Sequence, residues 1–395
     1  MITGSTFSVT GQTLAVLGIV LAAVALGYQL TACAAVLLSR HKRAPRPAGA
    51  LRPVTVLKPL CGAEPALYED LRSLCEQAYP LMQIIFGVQH PADPALEVVR
   101  RLQAQFPRLD IAVVIDPRRH GHSAKVSNLI NMMSAARHDW LVLADSDVRV
   151  PPGYLEGVCA PLADPGVGIV TCPYRGRPVR TAGRARLWCE LGALFVNDWF
   201  MPSVRVAALF GSRSFAFGAT IALRRDALSA IGGFQAIADQ LADDYRLGEL
   251  TRRRGLATVL SHVVVETSVE EPTFRQLVQH ETRWLRTIRA VRPGGYAASA
   301  VTFSLPVAIL GCALAGASGS ALVLLCATAA ARVMLHFLVY AAEPALGGAR
   351  RRLWALPASD VLGFALWCRG FAAREVHWRQ QRYRVARDGS AHPIT

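Results

Sequence analysis

Charge is scarce in this sequence, and lysine is the scarcest of its charged residue types. Charged residues make up 18% of the 395 positions, against the roughly 25% that soluble domains usually carry. Hydrophobic residues make up 52%, which excludes disordered, collagen-like and coiled-coil proteins and favours a membrane-bound one. Only three of the 43 cationic residues are lysines. This bias towards arginine and alanine indicates a GC-rich bacterial genome and carries no chemistry of its own.

Several catalytic and metal-binding motifs are also missing. The nine cysteines are scattered without a CxxC pair, so they predict neither a disulfide framework nor a zinc site and fit a reducing compartment. No HExxH, GxSxG or Walker A motif occurs, which excludes a zinc metalloprotease, a serine hydrolase and a P-loop enzyme. No nucleic-acid-binding module is present. The net charge of +15 is better explained by anionic lipid headgroups and a phosphorylated substrate.

Long apolar runs are what the sequence has instead. Residues 13–38 are apolar except for Thr13, Gln29 and Thr31, and no charged residue precedes Arg40. The run exceeds the roughly 20 residues that cross a bilayer. A secretory signal would need a cationic start and a shorter run, so we predict a retained anchor. The basic residues Arg40, Lys42, Arg43 and Arg46 follow it. By the positive-inside rule its C-terminal end faces the cytoplasm.

A second apolar region runs from Arg292 to Arg332 without a charge between them. We predict helices over 297–315 and 319–341 and a third candidate over 353–372, which carries Asp360 and Arg369 at a cost inside a bilayer. Four spans would place the basic tail outside, against the charge rule, so the last segment is expected to be re-entrant or interfacial, or an earlier span is wrong. The predicted division is a transmembrane anchor (1–44), a cytoplasmic globular domain (45–292), a membrane region of two or three helices (293–372) and a basic tail (373–395).

The globular part has an α/β pattern. Apolar runs at 53–57, 83–88, 111–115 and 140–144 alternate with segments of helical periodicity. Such alternation predicts a mostly parallel, Rossmann-like sheet with helices on its faces. Ligands bind outside the carboxyl ends of the strands in these folds, so the residues that directly follow the strands are the candidates for function.

Two acidic motifs stand at such positions. Asp145 and Asp147 follow the fourth strand and could converge on one Mg²⁺ or Mn²⁺, with diphosphate and water completing its coordination; the alternative is an ordinary acidic turn. Asp243 and Asp244 begin a predicted helix, where acidic residues are favoured electrostatically in any protein. Adjacent carboxylates also raise one another's pKa, which suits Asp244 to act as a general base.

Three further groups are weaker candidates taken alone. Asp93 follows the second strand, where an aspartate is commonly a turn or helix cap, and Lys125 and Asn128 follow the third. Arg283 and Trp284 lie just before the second apolar region. An arginine–tryptophan pair there can serve as interfacial anchoring or place a guanidinium against a diphosphate.

Taken together and in this order, the motifs resemble the ceramide glucosyltransferase-type enzymes of the GT-A superfamily. Its bacterial composition, and departures from the animal enzymes given below, point to a resemblance with the bacterial glycosyltransferase associated with hopanoid biosynthesis. The resemblance extends from Pro53 to about Arg384. It rests on Leu57-Lys-Pro-Leu-Cys-Gly62, Val88-Gln89, Asp93-Pro-Ala95, Lys125, Asn128-Leu129, Asp145-Ser146, Gly232-Gly-Phe234, Asp243-Asp-Tyr245, Arg283-Trp284 and Arg382-Tyr-Arg384.

The resemblance implies roles for individual residues. Asp93 matches a first aspartate expected in nucleotide binding, Asp145 a second expected at metal and diphosphate, and Asp244 a third expected as catalytic base. Arg283 and Trp284 match the end of the family's Q/R-x-x-R-W signature and are implied to bind the donor, as are Lys125 and Asn128.

Three positions depart from that pattern. His280 occupies the Q/R position of the signature. Asp147 is acidic where animal ceramide enzymes have glycine, which makes a fuller Asp-x-Asp metal site with Asp145. Asp198 falls where those enzymes carry a histidine near the acceptor, so Asp198 and His280 are candidate acceptor contacts, and a different lipid is implied.

The implied function is transfer of N-acetylglucosamine from UDP to a bacteriohopanetetrol-type hopanoid, with inversion and a divalent metal. Ceramide glucosylation and, less well matched, processive polysaccharide synthesis are the alternative reactions. A non-catalytic lipid-binding membrane protein is the alternative of another class. The expected location is the bacterial cytoplasmic membrane, multi-pass, with the catalytic domain facing the cytoplasm and UDP-sugar and lipid, but no nucleic acid, as partners.

Overall fold

The chain folds into two compact units. A computed structural model describes residues 3–40, 52–179, 181–342, 349–372, 375–378, 381–385 and 390–393. The first unit, called here the membrane unit, groups Met1–Lys42, Ala182–Phe210 and Glu271–Arg374. The second, the sheet unit, groups Arg43–Thr181, Gly211–Glu270 and Glu375–Thr395.

This grouping differs from the predicted segments. Residues 182–210 and 271–292, expected in the globular domain, belong to the membrane unit, and the tail from Glu375 belongs to the sheet unit. The reason is packing. The helices of 182–210 bury apolar residues among those of the C-terminal region, for example Leu191 and Leu194 with Leu356. The predicted boundaries followed continuity along the chain, which does not reveal such long-range burial.

The sheet unit is built on seven strands. In spatial order they are β3 (Asp110–Ile115), β2 (Met82–Val88), β1 (Val54–Pro59), β4 (Trp140–Leu143), β8 (Ile221–Arg224), β6 (Val167–Thr171) and β9 (Ala257–Leu260). Only β8 runs antiparallel to its neighbours in this sheet. The predicted mostly parallel α/β sheet is therefore confirmed, and its four expected strands occur at the predicted positions.

Helices cover this sheet because their apolar faces match it. They are α2 (Leu67–Cys75), α3 (Ala95–Gln105), α4 (Ala124–Met132), α5 (Tyr154–Cys159), α8 (Arg225–Ala230) and α9 (Asp243–Arg253). Val126 and Leu129 of α4 and Leu247 of α9 pack in one core with Leu57 and Leu141 of the strands. This burial fixes the N-termini of α4 and α9 relative to the strand ends.

Two small sheets complete the unit. One comprises β5 (Val148–Arg149), β10 (Val265–Val269) and β7 (Tyr174–Pro178), and the other β11 (Glu375–Trp378), β12 (Gln381–Val385) and β13 (Ala391–Pro393). Asp70 of α2, whose side chain is 1% exposed, pairs with Arg149 at 3.0 Å and Arg177 at 2.6 Å. Because a buried charge needs such partners, Asp70 ties α2 to the first small sheet.

The described residues of the membrane unit form helices and no strand. Its helices are α1 (Thr3–Arg40), α6 (Gly183–Leu194), α7 (Met201–Leu209), α10 (Phe274–Val291), α11 (Pro293–Ala298), α12 (Ser304–Leu314), α13 (Gly319–Ala342) and α14 (Leu356–Gly370). A π-helical turn, Phe195–Phe200, joins α6 to α7.

Among the residues that the structure describes, two helices are long and apolar enough to cross a bilayer, at Gly11–Ser39 and Gly319–Ala341. Large apolar side chains point outward from them, among them Val16 and Val323 at 62% and 69% exposure, as expected of a lipid-facing surface. The predicted anchor and the helix over 319–341 are confirmed as candidate spans. The basic cluster at residues 41–46, from which the orientation was predicted, lies outside the described residues.

The helix predicted over 297–315 differs from expectation, and the last candidate, over 353–372, is shorter than a span. The segment 297–315 is not one straight helix, because Pro293–Thr302 and Ser304–Leu314 meet at an angle of 75° and form one span at most. Pro306, in the first turn of α12, has no N–H to continue a helix from the preceding residues. The segment over 353–372 forms α14, of 15 residues, which at 1.5 Å per residue is about 22 Å long and too short to span.

Small residues bring α1 and α12 into close contact. A side chain added at Gly18 would meet the backbone of Gly311 and Ala315, and one added at Gly311 would meet that of Gly18 and Ala22. Such small-xxx-small faces let helix backbones approach closely inside a membrane. Gly27, also on α1, has open space around it.

The contrast between these glycines gives a stability prediction. We expect Gly18→Leu to destabilise the folded chain by about 1–3 kcal/mol, the usual cost of overpacking, because backbone cannot yield as a side chain can. Gly27→Leu is the matched control on the same helix and should stay within about 0.5 kcal/mol. Thermal unfolding of both variants in one detergent measures the difference, and equal midpoints would contradict the packing.

Candidate active site

The site begins with a buried lysine at the end of β1. Lys58 is fully buried, and its Nζ donates to the carbonyl oxygens of Asp145, at 2.6 Å, and Val148, at 3.1 Å. Burial lowers the pKa of Lys58 to about 8, and the nearby negative charge of Asp147 opposes that shift. Lys58 thereby fixes the turn that carries Asp145 and Asp147 to the edge of the sheet.

Lys125, at the start of α4, gathers the acidic groups. The Ser123 hydroxyl caps this helix by accepting from the Val126 N–H. Lys125 Nζ lies 2.6 Å from Asp145 Oδ1 and 3.3 Å from Asp243 Oδ2. Burial by itself would lower the pKa of Lys125, but Asp145 and Asp243 raise it above its usual value. The ammonium is therefore permanently charged and neutralises part of the acidic cluster.

Asp244 is held rigidly at the start of α9. Its Oδ2 accepts from the Gly218 N–H at 2.8 Å and its Oδ1 from its neighbour's N–H, that of Tyr245, at 2.7 Å. Desolvation and the charge of Asp243 raise the pKa of Asp244 to about 6, against the opposing effect of Lys125. A carboxylate with this pKa is ionised at neutral pH and can accept a proton efficiently.

Gly218 shows how close these groups are. The position that a Cβ on Gly218 would occupy lies 3.2 Å from Asp145 Oδ2, 3.4 Å from Asp244 Oδ2 and 3.4 Å from Lys125 Nζ. Residues from three separate parts of the sequence thus meet in one small volume. The structure brings Asp145, Asp244 and Lys125 together.

Asp147 and Asp145 have the chemistry of a divalent-cation site. Desolvation and the charge of Asp145 raise the pKa of Asp147, while the Thr267 hydroxyl, donating to its Oδ2 at 2.6 Å, lowers it. Two carboxylates that repel each other in this way favour a cation between them. The described residues hold no cluster of three or more His, Cys, Asp or Glu side chains suited to a metal. The pair therefore fits Mg²⁺ or Mn²⁺ only where a substrate diphosphate and water supply the remaining ligands.

Asp93 and Asn128, which are predicted to bind the sugar donor, hydrogen-bond to the backbone in the structure. Asp93 accepts from the N–H groups of Gly62, at 3.0 Å, and Ala95, at 2.9 Å, so it links the loop after β1 to the start of α3. Asn128 donates to the carbonyl of Gly87 at 2.7 Å and is 3% exposed. Both lie at the carboxyl edge of the sheet, and both shape the loops there. Their roles in donor binding stay predictions.

The remaining predicted residues belong to the membrane unit. His280, Arg283 and Trp284 lie on α10, where the ring of Trp284 packs edge-on against that of His280 with centroids 5.3 Å apart. His280 Nδ1 bonds Glu271. Asp198 lies in the π-helical turn and is 4% exposed. The roles predicted for these four residues stay predictions.

Sequence reasoning missed Lys58, Gly218 and Thr267. For Lys58 a signal existed, since a lysine inside the apolar strand Val54–Pro59 must be buried and therefore needs partners. Gly218 and Thr267 had none, because their contacts with Asp244 and Asp147 join residues 26 and 120 positions apart.

Comparison with known proteins assigns the chain to a family. Residues 17–391 match the profile described as Glycosyl transferase family 21. The chain belongs to this family. The prediction that it is a glycosyltransferase of the ceramide glucosyltransferase-like type is thereby confirmed at family level.

Individual relatives agree with the family. The chain is 25% identical over 256 residues to ceramide glucosyltransferase 1 of Caenorhabditis elegans, which covers 64% of this chain and 53% of that protein. It is 33% identical over 107 residues to the ceramide glucosyltransferase of Komagataella phaffii, covering 26% and 21%. The chain thus spans about half the length, or less, of the curated relatives it matches. A solved mannosyltransferase from Pyrobaculum calidifontis, in complex with GDP-Man and Mn²⁺, aligns with TM-score 0.49 and 21% identity over 89% of this chain and 98% of that one.

The buried lysine of β1 gives a prediction for this site. Lys58→Met removes the donor that two buried carbonyl groups share, and each unsatisfied group costs about 1–3 kcal/mol. We expect a clear loss of thermal stability in the purified chain. Arg108→Met, an exposed position, is the control and should leave the unfolding temperature unchanged. If both variants unfold at the wild-type temperature, Lys58 does not hold the Asp145 turn.

Proposed function

We propose that the chain transfers a sugar from a UDP-sugar to a lipid hydroxyl by a single inverting displacement. The observation that carries the proposal is the Asp244 carboxylate, fixed by two backbone N–H groups, with a pKa near 6, in the same small volume as Asp145 and Lys125. A base placed in this way takes the proton from an attacking hydroxyl as its oxygen bonds to the anomeric carbon.

The other groups of the cluster act on the leaving group. Lys125 places a fixed positive charge where the diphosphate of UDP gains charge. Asp145 and Asp147 would hold Mg²⁺ or Mn²⁺, which when bound supplies further positive charge to the departing diphosphate. Lys58 keeps the turn of these two aspartates in place. The contributions of Asp93, Asn128, Arg283, Trp284 and His280 to donor and acceptor binding rest on the family resemblance.

The acceptor and sugar have two candidates. The sequence resemblance favours N-acetylglucosamine transfer to a hopanoid polyol, and Asp147 and Asp198 depart from the animal ceramide enzymes in that direction. Glucose transfer to ceramide is favoured by the curated relatives, which are named ceramide glucosyltransferases. In either reaction the acceptor is a lipid. The apolar candidate spans support a cell-membrane location, which we propose is the bacterial cytoplasmic membrane with the sheet unit in the cytoplasm.

One assay separates these candidates. Purified full-length chain is incubated with Mn²⁺, one of UDP-N-acetylglucosamine or UDP-glucose, and one of bacteriohopanetetrol or ceramide. Mass spectrometry identifies the product and NMR gives its anomeric configuration. A glycolipid of inverted configuration supports the proposal and names the pair. A product of retained configuration contradicts the single displacement, and no glycolipid from any pair contradicts the proposed function.

Removal of the base is the direct test of Asp244. We expect Asp244→Asn to keep donor binding and lose about 10²–10⁴ in kcat, the usual contribution of a general base. Asp139→Asn, at a side chain that is 91% exposed, is the matched control and should behave as wild type. Steady-state kinetics with UDP binding measured by calorimetry separates the two effects. Near-wild-type turnover of Asp244→Asn would show that another group takes the proton.

The pKa of Asp244 predicts a pH dependence. The base acts only when ionised, so kcat should be constant above about pH 6 and fall about tenfold per unit below it. Asp243 raises this pKa, so Asp243→Asn should move the acidic limb to lower pH. The profile is measured from pH 4.5 to 8 in both proteins. A limb that stays in place, or moves upward, would be inconsistent with coupling between the two aspartates.

A further inference from the structure

Strand β10 contacts Asp147 twice, although it lies far from it in the sequence. The Thr267 hydroxyl donates to Asp147 Oδ2 at 2.6 Å, across 120 positions of the chain. The next residue, Ser268, donates its backbone N–H to the carbonyl oxygen of Asp147 at 3.0 Å. β10 thereby holds both the side chain and the backbone of a carboxylate whose chemistry suits a divalent cation.

β10 is itself anchored by a buried carboxylate of α2. Asp70, with a side chain that is 1% exposed, accepts from the Ser268 hydroxyl at 2.7 Å. It also pairs with Arg149 of β5 and Arg177 of β7, the two strands that flank β10. Breaking a buried ion pair would leave an uncompensated charge. The strand that carries Thr267 therefore has little freedom to move.

The same ion pairs keep cationic side chains occupied around Asp147. Arg149, only two residues after Asp147, pairs with Asp70 at 3.0 Å. The ammonium of Lys58 donates to two backbone carbonyl groups. Asp147 is therefore oriented through the neutral hydroxyl of Thr267, which brings no positive charge into contact with it.

The partner of a carboxylate affects what the carboxylate can still bind. Lys125 Nζ lies 2.6 Å from Asp145 Oδ1, so a metal ion at that oxygen would meet an ammonium already in place. The Thr267 hydroxyl occupies one oxygen of Asp147 and leaves the charge of the carboxylate intact. Groups that orient a ligand by a hydrogen bond in this way commonly set the affinity of protein metal sites.

We propose that Thr267 is a positioning residue for the divalent cation, holding Asp147 by one oxygen and leaving the other to the metal. The ion pairs of Asp70 keep the strand of Thr267 in place. The inference rests on the proposed function in one respect, which is that Asp147 takes part in a metal site. It adds that a hydroxyl from a distant strand sets the affinity of that site.

Metal affinity measured apart from catalysis tests this role. Full-length chain in detergent is titrated with Mn²⁺ in the presence of UDP, and the EPR signal of free Mn²⁺ gives the dissociation constant. We expect Thr267→Val, which keeps the shape of the side chain and removes its hydroxyl, to weaken Mn²⁺ binding by about 10–100-fold. Thr267→Ser keeps the hydroxyl and should bind Mn²⁺ as wild type does.

Thr251→Val is the matched control within the sheet unit. The Thr251 hydroxyl donates to carbonyl oxygens of its own helix, those of Leu247 and Gly248, so its loss should leave Mn²⁺ affinity unchanged. Thermal unfolding in EDTA reports general damage. A merely structural role of Thr267 would lower the unfolding temperature of Thr267→Val and leave the Mn²⁺ affinity of the folded chain intact.

Two results would overturn the role of the hydroxyl. One is a Thr267→Val chain that binds Mn²⁺ as tightly as wild type. The other is a Thr267→Ser chain that binds it as weakly as Thr267→Val. In the transferase assay, the expected change in Thr267→Val is a higher KM for Mn²⁺ with kcat retained at saturating metal, because the hydroxyl acts on binding and touches no reacting atom.

The titration contains neither sugar nor lipid, so its result is separate from the proposed function. Mn²⁺ binding that depends on the Thr267 hydroxyl, without any glycolipid product in the transferase assay, would sustain this inference and reject the transferase. A glycolipid product with wild-type Mn²⁺ affinity in Thr267→Val would do the opposite. A wild-type chain that binds no Mn²⁺ overturns this inference, whatever the transferase assay gives.

Discussion

Charge balance at the carboxyl edge of the main sheet is the constraint on which the site depends. Asp145, Asp243 and Asp244 would repel one another if they stood alone, and the ammonium of Lys125 lies among them. Its positive charge offsets part of their negative charge, while desolvation and Asp243 raise the pKa of Asp244. Because a low local dielectric strengthens each of these interactions, small displacements would change the proton affinity of the base. That is why Lys58 and the Gly218 N–H fix the backbone around it.

The membrane unit also contains buried charges that must be balanced. Arg332, Asp360 and Asp198 would each be expensive at bilayer depth, and they become tolerable because they pair with one another. This pairing leaves Asp198 Oδ2 without a hydrogen bond. In both units a buried cation pairs with carboxylates, but the consequence differs. In the sheet unit a cation tunes a proton acceptor, and in the membrane unit a cation holds a hydrogen-bond acceptor in position.

The sequence predicted the strands and the acidic positions well because both depend on local signals. Apolar runs of four to seven residues define β1 to β4, and the aspartates follow directly along the chain. The membrane region was predicted less well. A hydropathy run cannot show that a new helix begins at Ser304, at 75° to the last one. Nor can it identify the partner of Asp360, since Arg332 lies 28 residues away.

By itself the sequence determined the α/β class, the anchor, the candidate base and the candidate metal pair. Each of these follows from the periodicity of apolar residues or from residues adjacent along the chain. Tertiary structure alone decided that Lys125 meets Asp145 and Asp243, that Gly218 donates to Asp244, and that residues 182–210 pack with the membrane helices. Those features arise from burial between segments far apart in the chain. No local pattern encodes such pairings, because they become favourable only when the whole core excludes water.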